Sequence, residues 1–242
     1  MHADSWIGSD LALDNTMATN PVAAGSVDLF VDLETLPAGD PPKPEEIKAP
    51  ANYKDPVKIL AYQQEKVDEV FRARALDPLQ GEICSIAWAL NDRAVQSITR
   101  GIEVETEKAL LEKFQAAIIE ATGAGQFEPV WIGHNVLFDL GWIWKRSFRY
   151  GGSTAAIRAM VPREKWSKQI IDTQRLWQFD RELTSLGELA RFLGLDGNTG
   201  KGSEVFDLFQ AGEFQALKEY NEADVEITRK VFWLLTGGNG HA

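Results

Sequence analysis

The run Val27–Leu33 (VDLFVDL) is short, apolar and β-prone, and it leads directly into Asp32-Leu33-Glu34. A run of this length is too short for a helix core and reads as a buried strand. Along a strand, residues i and i+2 share a face, so Asp32 and Glu34 point the same way while Leu33 turns into the fold. Two carboxylates side by side at the mouth of an apolar strand repel one another unless a cation joins them. Taken alone, the pattern also fits acids solvated in a turn.

The segments that follow limit what this strand can belong to. Residues 37–56 carry six prolines and leave the sheet, and Asp55–Leu76 is expected as a charged helix. Glu82–Leu90 and Ala94–Thr99, separated by Asn91-Asp92-Arg93, suggest a β-hairpin. A helix is expected over Glu105–Ala121, with an apolar stripe of Leu110, Leu111, Phe114 and Ile118. Pro129–His134 reads as a strand passing into a helix over about Leu137–Tyr150. A loop-rich stretch follows, with Gln169–Asp172 as a short edge strand. Ser185 and Glu188 have the spacing of a capping box, opening a helix that ends near Gly194. The last helix runs from about Phe214 to Leu235 and stops at Gly237-Gly238. This order predicts an α/β fold, a mixed β-sheet flanked by helices with a helical insertion after the first strand. One domain is expected over 26–236, its insertion at about 37–78, between a flexible tail at 1–25 and a short one at 237–242.

Two further segments bring acids toward the first pair. In Gly133-His134-Asn135-Val136-Leu137-Phe138-Asp139 a strand ends, the backbone turns, and Asp139 falls in the first turn of a helix, where an acid also serves the helix dipole. His134 reads as structural. In the last helix Tyr220 and Asp224 are four apart, stacked on a face flanked by Leu217, Ile227 and Val231. An aspartate facing inward is costly unless it is paired or holds a metal. Four acids from three segments suit a pair of hard cations, and no cysteine or histidine cluster offers a softer site.

The remaining chemistry is sparse. The sole cysteine, Cys84, lies in an apolar run and is expected in the core, which makes the cytoplasm the default compartment. No apolar run is long enough for a membrane span, and the first 25 residues lack the form of a secretory signal. The net charge of −11 argues against a protein that grips nucleic acid by its overall field, while leaving room for an enzyme that handles nucleic acid locally through bound cations. Asp139 to Arg181 nevertheless carries nine Lys/Arg against four acids, either a solvated face or a phosphate-tracking one.

On the motifs LFVDLET, GHNVLFD and YNEADVEIT, in that order, the chain resembles the DEDD superfamily of 3′–5′ exonucleases, with their ribonuclease H-like fold. It is most similar to the exonuclease domain of family B DNA polymerases and to stand-alone phage and bacterial proteins like it. The resemblance covers about Val27 to Leu235. It implies a site for two magnesium ions, with manganese as a substitute. Asp32 would bridge them, Glu34 and Asp224 would complete one ion's site, and Asp139 would hold the other. The water-orienting residue lies four before the last aspartate, at Tyr220, which is the tyrosine (DEDDy) branch.

The resemblance also implies contacts to the terminal nucleotide from Asn135. Leu36 is a candidate wedge against the terminal base, Lys201 a candidate phosphate contact, and Phe138 a candidate stacking residue beside Trp142 and Trp144. The expected activity is hydrolysis of single-stranded DNA from the 3′ end, releasing nucleoside 5′-monophosphates, with a proofreading or repair role. The implied partners are single-stranded nucleic acid, DNA over RNA, and a DNA polymerase or other replication protein, with no membrane. The alternatives are a 3′–5′ exoribonuclease of the same branch and a catalytically silent nucleic-acid-binding module.

Overall fold

The structure, a computed structural model, describes residues 25–179, 183–195 and 202–238. The expected tails (apart from Gly25, Gly237 and Gly238) and Lys201 lie outside the described residues. Five strands form one mixed sheet in the order β3-β2-β1-β4-β5, comprising β1 (Ser26–Pro37), β2 (Gly81–Leu90), β3 (Gln96–Thr99), β4 (Glu128–Gly133) and β5 (Ile170–Asp172). β1 pairs antiparallel with β2 and parallel with β4, while β2–β3 is the antiparallel hairpin and β4–β5 is parallel. The helices are α1 (Pro56–Ala73), α2 (Glu107–Ala121), α3 (Val136–Arg149), α4 (Ala155–Met160), α5 (Thr173–Trp177), α6 (Leu186–Phe192), α7 (Val205–Gln210) and α8 (Phe214–Thr236).

The period-two alternation of β1 sorts these helices into two layers. Leu29, Val31 and Leu33 pack with Leu110, Phe114, Leu140 and Ile143, which places α2 and α3 on one face. Phe30 faces the other way, against Val225 and Phe232 of α8. Asp32 and Glu34 share the parity of Phe30 and so lie on the α8 side. Cys84 is fully buried.

β1 is longer than its apolar run suggests. It continues to Pro37, so Asp32 and Glu34 sit within the strand and not at its end. The reason is pairing: β2 stays hydrogen-bonded to β1 through Pro37, with a bulge where Glu34 faces Ser85 and Thr35 faces Ile83, leaving Cys84 as the extra residue. The bulge puts two consecutive β2 residues on the α8 side. Ser85 bonds to Asn221 of α8, and Cys84 packs with Leu36, Val205 and Leu217.

β4 leaves β1 earlier. Their pairing ends at Phe30–Ile132, and the chain turns at Asn135, which adopts a left-handed conformation (φ 61°). Gly133 is required just before this turn, since a Cβ there would lie 2.8 Å from Val136 and 3.0 Å from the Val31 carbonyl. The insertion at 37–78 carries α1, opened by the Asp55 cap and Pro56, and tied to α7 by a two-pronged Arg72–Asp207 pair. The stretch after Tyr150, expected as loop, contains α4, whose Ile157 is buried in the main core.

Candidate active site

The parity of β1 and the buried face of α8 bring Asp32, Glu34 and Asp224 together, with carboxylate oxygens of all three within 4.8 Å of one another. Glu34 is 9% exposed and Asp224 8%. Asp139 completes the acid group from the far side of β1. Past Phe30 the β1 edge has lost its β4 partner, and the Asp139 carboxylate accepts the Leu33 N–H at 3.2 Å in its place. Thus α3 starts on one face of the sheet and delivers its first-turn acid to the edge of β1 that β4 has left.

Packing like charges this closely has a marked effect on their titration. Burial pushes Asp32 well above the usual carboxylate range, the Asp224 charge adds to it, and the Asn221 amide works against it. Glu34 is raised by burial and then by Asp32, Asp224 and Asp139. Asp139 is raised by burial and by Asp32, while its bond to Leu33 N–H opposes this. Burial lifts Asp224 to about 6, against hydrogen bonding from Tyr220. Burial and the surrounding carboxylates, Glu34 foremost, push the Tyr220 hydroxyl upward.

A divalent cation fits this set on two observations. The Asp224 Oδ1 is buried and has no hydrogen-bond partner, an arrangement that is costly unless another ligand occupies it. The donors are all carboxylate oxygens, the set that magnesium or manganese prefers. His134 offers no competing ligand, because both its ring nitrogens are engaged, with the Thr173 hydroxyl at 3.0 Å and the Thr184 carbonyl at 2.8 Å. Its expected structural role agrees with these bonds.

Two residues essential to this arrangement were not singled out from the sequence. Asn221 is fully buried and donates from Nδ2 to Asp32 at 2.7 Å. Its carbonyl oxygen accepts from Ser85 Oγ at 2.8 Å, and Ser85 is paired in turn with the Thr99 hydroxyl at 2.9 Å. With Ser85 donating to Asn221, Thr99 must donate to Ser85, so the chain has one direction and aims the amide N–H at Asp32. The signal available in the sequence was a polar residue one position after Tyr220, beside the inward face. The second is Asp172, 5% exposed, whose carboxylate accepts the Asn135 N–H at 2.9 Å and fixes the turn that orients α3.

The other candidate contacts are placed differently. Asn135 is exposed, at the turn opening α3. Phe138 is partly buried, its ring 6.0 Å from that of the core residue Trp142. Leu36, a candidate wedge, is 5% exposed and packs among Cys84, Val205 and Leu217. In the basic stretch, Arg146 is a core residue. It bonds Glu107 through Nε at 2.8 Å and Nη2 at 2.6 Å and is therefore unavailable to a phosphate.

A mixed sheet with helices on both sides, and acids from within β1, from the first turn of α3 and from the final helix, defines a ribonuclease H-like α/β protein with an acidic centre. The chain belongs to the family of predicted 3′–5′ exonucleases related to the exonuclease domain of PolB, whose model matches residues 80–238. That span includes Asp139, Tyr220 and Asp224, while Asp32 and Glu34 precede it. No match is found among curated proteins. Among the described residues no helix is long and apolar enough to cross a membrane.

Proposed function

We propose that the protein hydrolyses single-stranded DNA from its 3′ end, releasing nucleoside 5′-monophosphates, with two magnesium ions held by Asp32, Glu34, Asp139 and Asp224. The observation that supports this best is the unpartnered, buried Asp224 oxygen in a cluster of carboxylates drawn from three segments. When bound, the ions would supply charge neutralisation at the scissile phosphate and lower the pKa of the attacking water. Manganese is the expected substitute.

The protein's own groups divide the remaining work. The Thr99–Ser85–Asn221 chain holds Asp32 in one orientation, so its carboxylate is in position before substrate arrives. Tyr220, beside Asp224 on α8, orients the water that attacks phosphorus as the bond to the leaving 3′ oxygen breaks. Asn135, exposed at the mouth of the site, contacts the terminal nucleotide. A proofreading or repair role, alone or beside a DNA polymerase in the cytoplasm, belongs to the same reading.

The test incubates a 5′-labelled single-stranded DNA, and a matched RNA, with the protein in magnesium or in EDTA, beside Asp224→Asn. A descending ladder on DNA that needs both magnesium and Asp224 is the expected result. Faster decay of the RNA would make the protein an exoribonuclease. Both strands intact would leave a nucleic-acid-binding module and overturn the catalytic reading.

A further inference from the structure

The α3 helix presents a second face that the acid site does not use. Leu137, Leu140, Gly141 and Trp144 follow one another at helical spacing and form the floor of an open groove of about 400 Å³. Pro162 and Arg163 form its wall. The stripe begins two residues after Asn135 and extends ~10 Å along the helix at 1.5 Å per residue. Its near end, Leu137, lies in the first turn of α3, close in the chain to Asn135, the proposed contact to the terminal nucleotide.

Gly141 is the informative residue. Glycine inside a helix is less favourable than alanine by about 1 kcal/mol, and its usual compensation is close approach of a neighbour. Here a Cβ on Gly141 would meet nothing within 4 Å. No protein atom uses the room that the missing side chain leaves, and the groove lies over it. The Arg163 guanidinium stands 5.6 Å from the Trp144 ring centroid, an aromatic surface with a cation at its edge.

Charge selects the occupant. The chain carries −11, yet residues 161–175 hold Arg163, Lys165, Lys168 and Arg175 against Glu164 and Asp172. Asp172 is committed to the Asn135 turn and to Arg175, 3.6 Å away, which leaves Glu164 to face Arg163, Lys165 and Lys168. Trp166, on the same segment, is 81% exposed between Lys165 and Arg175, which approach its ring centroid to 5.2 and 5.3 Å. Apolar, aromatic floors edged by cations suit a stacked base and its phosphate.

We propose that the groove over Gly141 is a base-binding subsite for a single-stranded nucleic acid, receiving a nucleotide upstream of the terminal one. The proposal rests on the exonuclease reading. It assigns the groove to the strand's own bases, and Gly141 to keeping it open.

The test measures binding of labelled oligothymidylates of two and eight nucleotides, with phosphorothioate linkages at the 3′ end to prevent their loss. Gly141→Leu, which fills the groove, is expected to weaken the eight-mer by about 10- to 100-fold and leave the two-mer unchanged. Gly141→Ala is expected to bind like the unmodified protein. Arg163→Ala, an exposed change that keeps the fold, should weaken the eight-mer and flatten its salt dependence; it decides the matter if Gly141→Leu lowers the melting temperature. Unchanged eight-mer binding by these variants overturns the subsite and leaves the groove to a peptide partner. If the unmodified protein binds no oligonucleotide, DNA or RNA, the exonuclease reading fails and the subsite fails with it.

Discussion

Replacing Asp224 by asparagine removes a charge that the metal-free fold holds at a cost. The carboxyl is 8% exposed and its pKa is lifted from the usual 3.8 to about 6, chiefly by burial. Such a rise corresponds to roughly 3 kcal/mol of folding free energy lost when the group is ionised. The sign follows from proton binding. Below about 6 the native state takes up a proton that the unfolded chain accepts only near 3.8, so the metal-free protein gains stability as pH falls through that window. Asparagine cannot ionise and adds an N–H toward the neighbouring carboxylates.

In EDTA at pH 8, Asp224→Asn is therefore expected to be more stable by about 2–3 kcal/mol, moving the urea midpoint up by about 1 M. The difference should shrink toward pH 4. Magnesium should reverse the ranking, because an ion selective for the native state stabilises the protein that binds it. Urea denaturation followed by tryptophan fluorescence at several pH values, with and without magnesium, measures all three. A variant less stable than the parent at pH 8 in EDTA would refute the assignment of Asp224 as a strained, metal-awaiting carboxylate.

Asn221→Leu should lower kcat/KM by about 10- to 100-fold and raise the magnesium concentration needed for half-maximal rate, as Asp32 loses its only side-chain donor among the described residues. Steady-state kinetics across a magnesium titration checks this, and an unchanged midpoint would count against it. Arg146→Met leaves Glu107 buried without its guanidinium and should destabilise the fold by about 3–5 kcal/mol, read by urea titration. Gly81→Ala would place a Cβ 2.6 Å from Trp142 and 2.7 Å from the Arg74 and Leu36 carbonyls. It should cost about 1–3 kcal/mol and appear as a lowered melting temperature with the acid cluster untouched.

How far the sequence carried the reading differs from one part of the fold to another. The two layers were legible because β1 and α8 obey their periods: Leu33 points one way, Asp32 and Glu34 the other, and Asp224 falls among Leu217, Ile227 and Val231 on the buried face. The Ser185–Glu188 capping box and the Gly237 stop were legible because each satisfies backbone groups locally. The full length of β1 was not, because Thr35–Pro37 are held by pairing with β2 and not by their own pattern. The bulge at Cys84 has no local marker, so the side of the sheet that Ser85 faces could not be read. Glu107 and Arg146 look like surface charges in any helical window, and only the tertiary fold makes them a buried pair that Tyr150 also contacts. Leu36 followed the first motif closely, yet strand parity carries it inward to Leu217.

The Asp32–Asn221 bond joins residues 189 positions apart in the chain. Contacts of that separation are slow to form, because nearly the whole polypeptide must be ordered before closure is rewarded. During synthesis, β1 emerges with Asp32 and Glu34 long before α8 exists, and the partly made chain has no Asp224 or Tyr220 to offer. Docking of α8 is also the step that forces the carboxylates together, so in the absence of cations it works against their repulsion. The acid cluster is thus complete only with the closing move of folding, and under the proposed two-magnesium reading divalent ions are expected to favour that step.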